Sequence, residues 1–201
     1  MDETAIQGHV VVVMAPMGSG KGTLIRHAKR HYPALQETVS CTSRPKRPKE
    51  VAGVDYHFLS PKEFEQRIAA GDFLEWAEFA GNKYGTLKEE ILPRITACQV
   101  VIVEIELQGV EQLLTLLPRE HLTICYIEAG GWDVLKGRAL ARAPMSEAEL
   151  QQRYERFLHE QQAKPLADVI IDNAGSLEVA QAAFLQVIAD AYDRCQPARA
   201  N

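Results

Sequence analysis

Val10-Val11-Val12-Val13-Met14 is an unbroken apolar, mostly β-branched run, and with His9 before it the run passes straight into Ala15-Pro16-Met17-Gly18-Ser19-Gly20-Lys21-Gly22-Thr23. Without polar alternation such a run reads as a strand buried on both faces, as in a parallel sheet covered by helices. Gly18 and Gly20 let backbone N–H groups turn inward, and Lys21 brings a mobile positive charge to the same turn. A helix beginning there adds about half a unit of positive charge at its N-terminus. Strand, glycine turn, lysine and helix together make a cradle for phosphate oxygens. Two positions depart from Gly-x4-Gly-Lys-[Ser/Thr]: Ala15 stands at the first glycine, and Gly22 stands where a magnesium-binding hydroxyl is usual, with Thr23 next.

The rest of the chain supports the same architecture. Further strand-like runs occur at 38–41, 99–105, 122–127 and 168–171, and helical patterns at 23–31, 108–117, 132–141 and 177–192. This alternation implies right-handed crossovers and a three-layer α/β sheet. The 201 residues, 46% apolar and 24% charged, suffice for a substantial core without cross-links. Val10–Pro16, the longest apolar run, is far short of the ~20 residues of a membrane helix, and 1–7 show no signal peptide. Cys41, Cys98, Cys125 and Cys195 are widely spaced and read as reduced thiols of a soluble, cytoplasmic chain. A net charge of −5 argues against non-specific nucleic-acid binding.

Two segments break the alternation. From Thr42 to about Thr86 the chain is dense in glycine, proline, charge and aromatics and reads as an inserted substrate lobe, with a capping box at Ser60-Pro61-Lys62-Glu63. From Arg142 to about Gln162 lies a mostly helical insertion, opened by the capping box Ser146-Glu147-Ala148-Glu149. Its expected apolar face is Leu150, Tyr154, Phe157 and Leu158.

The first insertion carries chemistry. Arg44 and Arg47, beside hydroxyls and Tyr56, suit a second phosphate group, which guanidinium forks grip bidentately. Glu75, among Phe73, Trp76 and Phe79, is a carboxylate that is costly to bury unless it accepts hydrogen bonds. Guanine offers N1–H and N2–H2 side by side to such a group, whereas adenine presents a lone pair at N1. A pocket built on Glu75 therefore selects guanine.

Three segments in order resemble the guanylate kinase family: the phosphate loop, Ser-Cys-Thr-Ser-Arg-Pro-x-Arg-x-x-Glu-x-x-Gly-x-Asp-Tyr from Ser40, and Glu-Trp-Ala-x-Phe-x-Gly-Asn-x-Tyr-Gly-Thr from Glu75. The resemblance runs from about Gly8 to Tyr192. It implies a P-loop kinase fold in one guanylate kinase-like domain over 1–201. The core would comprise 8–41, 87–141 and 163–193, the GMP lobe about 42–86, and the lid about 142–162. It implies ATP-dependent phosphorylation of GMP, and of dGMP, with magnesium carried by ATP. It puts residues 15–23 on ATP. Ser40, Arg44, Arg47 and Tyr56 fall to the GMP phosphate, with Tyr84 nearby, and Glu75 and Thr86 to the guanine; Glu50, Gly85 and Glu106 also belong to the GMP site. It makes Lys21, Arg44, Arg138, Arg142 and Arg153 the catalytic cations.

One departure stands out. Glu104-Ile105-Glu106 replaces the family's usual Asp-x-Asp. Thr23, Glu104 and Glu106 are the candidate magnesium contacts, and Glu106 either helps to hold the hydrated ion or orients an active-site arginine beside GMP. Two rivals remain: a sugar-phosphate kinase, which would lack Glu75 and Thr86, and a phosphopeptide-binding module, which would lack Gly18, Gly20 and Lys21.

Overall fold

β-branched runs do form the central layer of the chain, whose computed structural model describes residues 6–79, 81–141 and 143–195. β1 (His9–Met14) is wholly buried in the middle of a five-stranded parallel sheet. The neighbours belong later in the chain. β2 (Gln36–Glu37), β7 (Val100–Glu104), β8 (Leu122–Glu128) and β9 (Val169–Asp172) complete the order β2-β7-β1-β8-β9.

Alternate residues of β1 feed two separate cores, which is why the run is apolar throughout. Val11 and Val13 pack against Leu24 and Ile25 of α1 (Lys21–His31) and Phe184 and Ile188 of α7 (Leu177–Arg194). Val10, Val12 and Met14 pack against Ile91 and Ile95 of α3 (Lys88–Thr96) and Val110 and Leu113 of α4 (Leu107–Leu116). The result is helix, sheet, helix. No described helix is long and apolar enough to cross a membrane.

The expected strand over 38–41 is corrected. β2 ends at Glu37, and the Thr38 amide still donates to Ile102 O on the central sheet. β3 (Cys41–Thr42) already belongs to a second sheet, ordered β4-β3-β6-β5 with β4 (His57–Phe58), β5 (Phe73–Phe79) and β6 (Asn82–Leu87). Extended backbone runs through, but the pairing partner changes at Val39–Ser40. The sheet buries Cys41, Phe73 and Leu87 against Phe64 of α2 (Pro61–Ala70), with Phe64 and Phe73 stacked at 4.4 Å. α2 starts at the Ser60 capping box, as its sequence indicates.

α5 (Trp132–Leu140) and α6 (Glu147–Gln161) lie over the ends of the central sheet, and α6 carries the Ser146–Glu149 capping box. The expected apolar face of α6 is narrower than its spacing indicated. Phe157 is buried with Ala129 and Leu135, while Leu158 is 46% exposed. The stripe turns toward Trp132, which Tyr154 and Phe157 both meet.

Two side-chain bonds fasten the second sheet to α4. Gln112 on α4 accepts the Trp76 amide at 3.1 Å and donates to the Trp76 carbonyl at 2.7 Å, as a neighbouring strand would.

Candidate active site

The loop after β1 bends through positive φ at Gly18 (89°) and Gly20 (92°), a region that side chains with a Cβ resist. Asn173 supports the bend from behind by donating to Ser19 O at 2.6 Å. A Cβ on Gly20 would lie 2.5 Å from that amide nitrogen, so both backbone angle and space require glycine there. Lys21 opens α1, and its Nζ lies 3.1 Å from Glu104 at the end of β7.

A cavity of about 270 Å³ lies beyond the carboxyl ends of β1 and β7, where open α/β sheets collect ligands. The phosphate loop forms one wall, through Ala15, Met17, Gly18 and Lys21. The second sheet and its loops form the other, through Ser40, Arg44, Arg47, Tyr56, Glu75, Tyr84 and Gly85. Two regions that the whole of α1 separates in sequence thus face each other across a single space.

Arg44 is held tightly. It donates bidentately to Glu50, at 2.8 and 2.6 Å, and its Cζ lies 5.1 Å from the Tyr56 ring centre. Glu50 also accepts the Arg47 amide at 2.8 Å, and the hydrogen bond from Arg44 holds its carboxyl down at about 2. Glu50 does not line the cavity; it stands behind Arg44 and accepts the amide of the loop that carries Arg47.

Glu75 lies at the inner end of the same wall, 5% exposed. It sits opposite Thr86 in the β5–β6 register and accepts hydrogen bonds from the Thr86 hydroxyl and amide. Burial pushes its carboxyl up to about 7 against the pull of those bonds, and the charge of Glu106 pushes the same way. α4 leaves room for the carboxylate only because residue 109 is glycine, where a Cβ would lie 2.5 Å from Glu75 Oε2. Thr86 is fully buried and lies 3.4 Å from the Ser40 hydroxyl.

The arginines are arranged less simply. Arg138 donates to the Asn173 carbonyl at 3.0 Å, behind the phosphate loop, and Arg153 rests against Met17 Sδ at 2.9 Å in a small adjoining groove. Neither lines the large cavity, and Arg142 lies outside the described residues. The arginine of α6 that does line it is Arg156, which the sequence reading passed over. Its spacing four residues before Glu160 was the available signal, since such pairs meet on a helix.

Glu104 pairs with Lys21, and Glu106 pairs with Arg156 at 2.7 Å. Thr23 Oγ1 accepts from Arg26 at 3.3 Å, and Gly22 has no hydroxyl to offer. Among the described residues no three His, Cys, Asp or Glu side chains cluster as metal ligands. These surroundings fit a cation held chiefly by nucleotide phosphates and water, and do not fit a resident metal caged by the protein.

Comparison with known proteins agrees with this geometry. The family model for guanylate kinase matches residues 7–190. A guanylate kinase of Nostoc sp. (strain PCC 7120 / SAG 25.82 / UTEX 2576) is 41% identical over 171 residues, covering 85% of each chain. One from Thermosynechococcus vestitus is 42% identical over 167 residues, covering 83% of this chain and 86% of that one. The crystal structure of guanylate kinase from Anaplasma phagocytophilum superposes with a TM-score of 0.73, over 97% of this chain and 92% of the other, at 22% identity, and so supports the fold. With nearly the whole chain matched, it belongs to the guanylate kinase family.

Proposed function

We propose how the cavity performs the reaction of this family, the ATP-dependent phosphorylation of GMP to GDP. ATP lies along residues 15–23, with its phosphates over the loop amides and Lys21. GMP lies against the second sheet, with guanine on Glu75 and Thr86 and phosphate among Ser40, Arg44, Arg47, Tyr56 and Tyr84. The observation that carries this reading is that buried Glu75, set opposite Thr86 in the β5–β6 register, shares one cavity with the phosphate loop.

Phosphoryl transfer asks a protein for positioning and charge neutralisation more than for covalent chemistry. A phosphate monoester is already an anionic nucleophile, so no general base is required. Lys21 and Arg44 take up charge from opposite sides of the transferring group. Lys21 exchanges Glu104 for phosphate oxygen, while Arg44 offers its remaining donors with Glu50 behind it. Magnesium would come with ATP as part of the co-substrate and supply further positive charge there, with Thr23, Glu104 and Glu106 the side chains placed to meet it. Arg138, Arg142 and Arg153 serve the ATP side, on the phosphate-loop flank where the first and last of them lie.

We further assign 42–86 as the GMP lobe, 142–162 as the lid and the remainder of 8–193 as the core, with dGMP a second acceptor and the cytoplasm the place of work. A coupled ADP-release assay with GMP, dGMP, AMP, UMP and ribose bisphosphate, with and without magnesium, tests the reading. Turnover with GMP and dGMP alone, dependent on magnesium, is the expected result. Preferred turnover of ribose bisphosphate, or none with any acceptor, overturns it.

A further inference from the structure

Arg156 meets three separate parts of the fold with one guanidinium group. Nε donates to Glu160 Oε1 one turn on, at 2.7 Å. Nη2 donates to Glu106 Oε1 at the junction of β7 and α4, also at 2.7 Å. Its Cζ lies 4.3 Å from the ring centre of Phe79, at the end of β5. Glu160 carries the chain further, because its other oxygen accepts the Met17 amide of the phosphate loop at 3.1 Å.

A continuous series of charge-assisted bonds therefore runs from the phosphate loop through Glu160 and Arg156 to Glu106. The same guanidinium rests on the guanine-side sheet. Arg156 and Glu106 side chains are 24% and 37% exposed, so solvent weakens the Coulomb attraction between them. What survives screening is geometry: a rigid planar fork with two donors on two carboxylates fixes one relative to the other. Among the described residues Arg156 is the one cation in ion-pair contact with Glu106.

We infer that Arg156 is a positioning residue for the acceptor nucleotide, fixing the Glu106 carboxylate at the cavity wall and docking α6 on β5 so that the guanine side and the phosphate loop keep their spacing. The inference rests on the cavity being the GMP site, as proposed above. Lysine cannot replace this arrangement fully, because one ammonium on a flexible stem does not set two carboxylates at a fixed angle.

The test is a double-mutant cycle with Arg156→Met, Glu106→Gln and both together, reading KM for GMP, KM for ATP, kcat and GMP binding by calorimetry. Methionine keeps apolar contact with Phe79 and removes both ion pairs. Each single change is expected to raise KM for GMP about tenfold while leaving KM for ATP within about twofold. The double variant should be no worse than the worse single, and Arg156→Lys should fall between wild type and methionine. Losses that multiply in the double variant overturn the inference, as do equal rises in both KM values or a GMP response that simply follows a lowered melting temperature. If the methionine variant does not fold, the lysine variant is read in the same cycle, with the same outcomes. Glu75→Gln separates the two levels. Lost GMP binding there with unchanged KM in Arg156→Met overturns the Arg156 role alone. Intact GMP binding in Glu75→Gln overturns the site reading, and the Arg156 role with it.

Discussion

Glu75→Gln is expected to stabilise the free protein at alkaline pH while destroying its selectivity for GMP. Burial raises the Glu75 carboxyl from 4.5 to about 7. The folded chain thus keeps this proton up to about pH 7, and the unfolded chain releases it near pH 4.5. Across that window the folded state binds more protons, so stability falls as pH rises, and above pH 7 the whole penalty stands. At about 1.4 kcal/mol per unit the penalty is on the order of 3 kcal/mol. Glutamine is neutral at every pH, so its advantage should be greatest at pH 8 and fade toward pH 5. The groups facing Glu75 are Thr86 on β6, Cys41 on β3 and Glu106 beside α4, and none supplies a compensating cation. Guanine binding runs the other way. One amide oxygen cannot accept from both N1–H and N2–H2, and GMP affinity should drop by about 10² or more. In the wild type, GMP binding should weaken as pH falls through about 7, where Glu75 gains its proton. Denaturant unfolding of both proteins between pH 5 and 8.5, beside GMP calorimetry, makes the measurement. A glutamine variant less stable than wild type at pH 8, or a stability gap that ignores pH, would refute the reasoning.

Lys21→Ala should lower kcat by about 10²-fold or more in the coupled assay. Its melting temperature should scarcely move, because the ion pair lost with Glu104 is about one-third exposed on each side. Glu50→Gln should raise KM for GMP about tenfold and leave KM for ATP unchanged, since it weakens the bidentate hold on Arg44 without touching the phosphate loop. Gly109→Ala should push Glu75 off its place and cut GMP affinity on the order of tenfold. The same change should leave thermal stability equal or higher, because alanine favours a helix by about 1 kcal/mol over glycine.

Elements whose cause is local were the easiest to read from the residues. β1, the glycine turn and α1 follow from a valine run, two glycines and a lysine, and both capping boxes stand where their serines and glutamates are. The Glu75 pocket was legible because a carboxylate among aromatics has few acceptable surroundings, and the β5–β6 register then places Thr86 opposite it. Long-range choices were hidden. Nothing in Thr38-Val39-Ser40-Cys41 tells which sheet each residue joins, since β-branched side chains favour extended backbone with either partner. α3 escaped notice because Pro93 interrupts its pattern, yet Ile91 and Ile95 are buried deeply enough to hold it. Spacing alone does not reveal that Arg44 takes both oxygens of Glu50. Arg156 was lost among the charges of α6, since only the folded chain brings Glu106 and Phe79 to it.

Each cation on the cavity wall shares a carboxylate from its own chain: Lys21 with Glu104, Arg44 with Glu50, Arg47 with Glu50 at 4.0 Å, and Arg156 with Glu106. A phosphate arriving at Lys21 therefore trades against an anion already there, whereas one arriving at Arg44 meets the donors that Glu50 leaves free. Such an exchange gains less than the meeting of a phosphate with a bare cation, and affinity for the nucleotide on the phosphate loop should decline only shallowly with added salt. The trade also runs in reverse. When a diphosphate product leaves, the resident carboxylate recovers its cation, so departure does not expose an unbalanced cluster of positive charge. A protein that must release two polyanions in every cycle thus carries, in Glu104, a competitor that helps to displace the one held at Lys21.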